Sequence, residues 1–91
     1  MNLGLIKGRH NIPQVEQYVF NTNINPTDVN GTEDLAYNFL SKLKVNHINL
    51  YVTGLTMALV AVLNSCKDLD IKVTLFHFDK ETGSYFPQVV A

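Results

Sequence analysis

The stretch from His47 to Cys66, where one hydrophobic period gives way to another, constrains this chain most. Between His47 and Thr53, Ile48, Leu50 and Val52 fall on one face of an extended segment, and Asn49 and Tyr51 on the other. Such alternation is the mark of a strand, and Gly54 breaks it. From Leu55 to Cys66 no residue is charged, and Met57, Leu59, Val60, Val62 and Leu63 do not keep to one stripe. A helix that is apolar nearly all round is buried on more than one side. In a chain of 91 residues the expected second cover is a neighbouring subunit. A strand running directly into a helix is half of a parallel α/β unit.

The flanking segments extend this pattern. Asn2 to Lys7 reads as a short buried strand, after which Pro13 holds Ile12 extended. Gln17 to Phe20 is a second short strand. Asn21 to Gly31 is rich in asparagine and reads as a loop. Thr32 is the expected N-cap of a helix over 32–44, with Glu33 and Asp34 in its first turn. Leu35, Ala36, Phe39, Leu40 and Leu43 form its apolar face. Ile71 to Phe78 is a strand, and Asp79 to Gly83 is a hairpin loop in which Gly83 supplies positive φ. Ser84 to Val90 returns as an edge strand that tolerates Pro87. The order β-β-α-β-α-β-β over 1–91 predicts one small Rossmann-like α/β domain of two or three layers. Its sheet is mainly parallel and ends in a C-terminal antiparallel hairpin.

Charge narrows the function. The net charge is −1, so there is no basic field of the kind that holds long nucleic acid. Only 16% of residues are charged, which favours burial of surface in a homo-oligomer, a dimer first. A local positive spot is expected near the start, where Lys7, Arg9 and His10 precede the first carboxylate, Glu16. Cys66 is the lone cysteine and reads as a small core residue. With no apolar leader and no uninterrupted apolar span, a cytoplasmic protein away from membranes is expected. Neither a metal nor a cofactor is expected, because no paired Cys/His spacing, G-x-G-x-x-G or Walker lysine is present.

Ligands of open parallel sheets sit beyond the carboxyl ends of the strands, where strand order reverses. Two loops qualify. Thr53-Gly54-Leu55-Thr56 opens a helix, and its free N–H groups suit an anion. The same residues also read as a plain turn with Thr56 as cap. Gly8-Arg9-His10 follows the first strand; Arg9 can fork onto a phosphate and His10 can move a proton near neutral pH. The competing reading is a solvated loop. His77 with Asp79 is a conceivable His–carboxylate pair, although a packed histidine suits the hairpin better. Tyr18, Tyr37, Tyr51 and Tyr85 read as core or interface rather than as stacking platforms.

The segment Leu50-Tyr51-Val52-Thr53-Gly54-Leu55-Thr56-Met57-Ala58-Leu59 resembles the strand, Thr-Gly-rich loop and helix of CRISPR-associated Rossmann-fold (CARF) domains and their small stand-alone relatives. Leu55 stands where that family often has a second glycine. The resemblance implies a ligand of the cyclic oligoadenylate class, with Thr53, Gly54 and Thr56 at its phosphates. It also implies the option of metal-independent ring cleavage, in which a ribose 2′-hydroxyl attacks the adjacent phosphate. His10 would then be the general acid and Arg9 a phosphate partner. Two other classes stay open: a non-catalytic oligomeric interaction module, and a small enzyme acting on another phosphorylated metabolite.

Overall fold

A computed structural model describes residues 1–8, 11–21 and 24–90. Five strands and two helices alternate as β1 (Asn2–Ile6), β2 (Gln17–Phe20), α1 (Val29–Leu43), β3 (His47–Tyr51), α2 (Thr56–Asp68), β4 (Lys72–Asp79) and β5 (Ser84–Val89). They form one mixed sheet in the order β2-β1-β3-β4-β5. β1 pairs in parallel with both β2 and β3, and β3 pairs in parallel with β4. β5 returns antiparallel on β4, and Gly83 turns the hairpin at φ 68°.

The expected α/β class, the chain order of elements and the C-terminal antiparallel pair are all present. The order across the sheet is a finding of its own. β1 and β2 pair in parallel with no helix between them, so residues 7–16 make the crossover. Passing from β2 to β3 and from β3 to β4, the chain moves in one direction across the sheet. Passing from β1 to β2, it moves the other way. Right-handed crossovers therefore put both helices on one face and Asn11–Gln14 on the opposite one. The result has two layers.

The core lies between the helices and one sheet face. Leu3, Leu50 and Leu75 are in register across the three central strands, flanked by Leu5, Ile48 and Val73. Ala36 and Leu40 of α1 and Ala58, Ala61 and Val62 of α2 close over them. Each large aliphatic side chain buried there is worth about 1.5–3 kcal/mol relative to exposure.

Two expected boundaries need correction. Helix α1 starts at Val29 rather than near Thr32, because the Asp28 carboxylate caps it by accepting from the Gly31 N–H at 3.0 Å. Thr32 is instead buried inside the first turns, with its N–H on the Asp28 carbonyl. Within the chain, α1 covers one side of α2. The two helices pack together, and the Asn64 side-chain amide donates to Glu33 Oε2 at 3.1 Å. Strand β3 stops at Tyr51, which leaves Thr53 in the connection to α2.

Cys66 is in the core as expected, and burial pushes its thiol up to about 11, far from nucleophilic use at neutral pH. Among the described residues no helix is long and apolar enough to cross a membrane.

Candidate functional site

The strand-to-helix rim forms from local rules. β3 ends at Tyr51, and Gly54 takes φ 75°, a left-handed conformation that glycine adopts freely. Leu55 is extended and caps α2 without a side-chain hydrogen bond. Its carbonyl accepts from the Ala58 and Leu59 N–H groups, leaving the Thr56 and Met57 amides at the helix start outside that pairing. Thr56 is therefore the first helical residue and not the cap. The Leu55 side chain packs against the core, so what it offers a ligand is backbone.

β1 and β3 are adjacent and parallel, so their carboxyl ends share one rim. The Thr53 hydroxyl donates to the Ile6 carbonyl at 3.5 Å, and Gly8 sits exposed just beyond. The chain leaves β1 across one face and leaves β3 across the other, so the strand order reverses at this point. That is where open α/β sheets form a crevice. The structure thus brings Gly8 and Thr53–Thr56 to one edge, while Arg9 and His10 lie outside the described residues.

Beside this rim is a cleft of about 740 Å³ on the sheet face that carries no helix. Its floor is aromatic. Tyr51 and Phe76 are cross-strand partners whose rings stack at 4.9 Å and 13°. Tyr85 meets Tyr51 edge-on at 4.9 Å and Phe78 at 5.3 Å. The segment Asn11–Gln14, part of the crossover, forms one wall, with Ile12 buried. Thr53 lines both rim and cleft, and Lys80 stands on the hairpin side. The Tyr85 phenol is raised above its ordinary value by burial and then by Tyr18 and Tyr51, so at neutral pH it is an uncharged donor.

Sequence reasoning read the tyrosines as core or interface without placing them on a sheet face. Tyr51 is buried, but outside the helix-side core cluster. The available signal was that β4 and β5 put aromatics at Phe76, Phe78 and Tyr85, which alternate with the core positions. His77 does not pair with Asp79: its Nε2 lies 2.8 Å from Gln88 Oε1 on the neighbouring strand. The Asp79 carboxylate instead accepts from the Glu81 N–H and the Thr82 hydroxyl within the hairpin. His47, at the opposite rim, pairs with Thr74 at 3.1 Å. No three His, Cys, Asp or Glu side chains converge as a metal site among the described residues.

Comparison of the chain with protein-family models, with curated proteins and with solved structures returns no match, so rim and cleft geometry alone bear on function.

Proposed function

We propose that this chain binds a cyclic nucleotide second messenger of the oligoadenylate class at the Thr53–Thr56 rim. It would act as a sponge or as a metal-independent ring nuclease in phage defence or counter-defence. The observation that carries the reading is the placement of the Gly54 turn and the uncapped start of α2 at the point of strand-order reversal, beside Gly8. Phosphates would meet the backbone amides of residues 54–56 and the Thr53 and Thr56 hydroxyls, with Arg9 neutralising one. A homodimer would set two copies of the rim around a symmetric ring. In the nuclease variant the ribose 2′-oxygen bonds to the adjacent phosphorus and gives its proton to water, the P–O5′ bond breaks to leave a 2′,3′-cyclic phosphate, and His10 protonates the departing 5′-oxygen.

The test is a low-salt thermal-shift screen against cyclic and linear oligoadenylates, ATP and phosphate, with mass spectrometry of each well. Ligand bound only to the native state raises Tm with concentration. One cyclic nucleotide is expected to do so, and Gly54→Val should weaken it at least about tenfold, or about 1.4 kcal/mol. His10→Ala should stop product formation and spare binding; products from that variant would remove His10 as the acid. If no nucleotide raises Tm, the messenger reading fails.

One observation favours a second reading, an interaction module. β5 is an edge strand whose Phe86 and Val89 are exposed, Val89 at 78%. On that reading the chain self-associates in the absence of nucleotide.

A further inference from the structure

We propose that the aromatic cleft is a stacking subsite for a nucleobase, and that the base belongs to the nucleotide whose phosphate meets the rim. The inference rests on the messenger reading and adds the part of the ligand that the rim does not address. Three observations carry it.

The first is shape. Tyr51 and Phe76 stack on one another 13° from parallel, and Phe78, 51% exposed, leaves part of its surface open beside them. Tyr85, edge-on to both Tyr51 and Phe78, closes one side. Flat heteroaromatic rings stack on such platforms whatever their sequence, because every base has a π-face. The cleft volume of about 740 Å³ is of the size that small-molecule ligands occupy.

The second is charge. Among the described residues that line the cleft there is no carboxylate, and the single charged side chain is Lys80. An anionic ligand is favoured there and an acidic wall would repel it. Asn11 and Gln14 supply amide groups that can hydrogen-bond a base edge.

The third is continuity. Thr53 lines the cleft and also begins the turn into α2. A nucleotide with its phosphate at the helix start therefore has its base within reach of the aromatic floor.

The chain has no tryptophan and four tyrosines, so tyrosine emission reads the cleft directly. Tyr37, exposed on α1, is removed with Tyr37→Phe to lower the background. In that background, adenosine and adenosine 5′-monophosphate are expected to quench emission saturably, and ribose 5-phosphate is not. Phe78→Ala, at an exposed position, should weaken adenosine binding about five- to hundredfold, the range for one stacked base. Tyr85→Ala should do the same, and Tyr85→Phe should keep most of the affinity.

A cyclic nucleotide that raises Tm, yet leaves emission unchanged and binds Phe78→Ala as well as the parent, overturns the subsite and leaves the messenger reading standing. Quenching by adenosine with no response to any cyclic nucleotide keeps the subsite and overturns the messenger. If emission and molecular mass both change with protein concentration alone, and Phe78→Ala abolishes that change, a second copy fills the cleft and the subsite is refuted.

Discussion

Replacing Leu50 with alanine is expected to lower the unfolding free energy by about 2–5 kcal/mol, the range for a buried leucine whose site collapses only in part. Leu50 is fully buried on β3, the middle strand of the five. It stands in register with Leu3 on one side and Leu75 on the other, with both helices above. No neighbour in that row can fill the space without breaking strand register. A domain of this size has a total stability of about 5–14 kcal/mol, so one such substitution removes a large share of it. Urea titration should show a lower midpoint with an unchanged slope. Val60→Ala on α2, where the side chain is 47% exposed, should stay within about 0.5 kcal/mol. Equal losses at the two positions would mean that the helix-side layer is not the main source of stability.

What could be read from the sequence was what neighbouring residues decide. The strand of Ile48 and Leu50, the left-handed turn at Gly54 and the helix after it are set by side-chain period and one backbone conformation, and they are present, with the strand ending at Tyr51. The start of α1 shifted because two residue types compete to cap. Asp28 reaches the Gly31 N–H and so includes Val29 to Gly31 in the helix, which leaves Thr32 to be buried. Local composition did not separate these outcomes, since both Asp and Thr are good caps.

The parallel pairing of β1 with β2 was not legible, because the crossover over residues 7–16 has no helix to announce it. That pairing decides which sheet face stays free of helix. The tyrosines of that face were therefore read as core or interface. Strands apolar on both sides do suit a sheet covered on both sides, and this sheet is covered by helices on one only. The rim was found by sequence because it is local. The cleft was missed because its floor comes from three strands that only the tertiary fold brings together.

Gly4→Ala is expected to destabilise the protein by about 1–3 kcal/mol, the usual cost of forcing an extra carbon into a filled site. It should become neutral or mildly stabilising once Tyr18 is also replaced by alanine. Gly4 is buried in β1, paired with Tyr18 on one side and Tyr51 on the other. A Cβ at Gly4 would collide with the Tyr18 ring, which occupies the space above the glycine on the helix-free face. In an ordinary strand, alanine in place of glycine gains about 0.5–1 kcal/mol, because the glycine loses more backbone freedom on folding. The sign of the effect therefore depends on whether the ring is there. A double-mutant cycle measures this directly, and a coupling above about 1 kcal/mol is expected between residues in contact. The same cycle checks the assignment of the face. If Gly4→Ala costs the same with and without Tyr18, the ring does not lie over β1, and the aromatic layer does not extend from β4 across Tyr51 to β2.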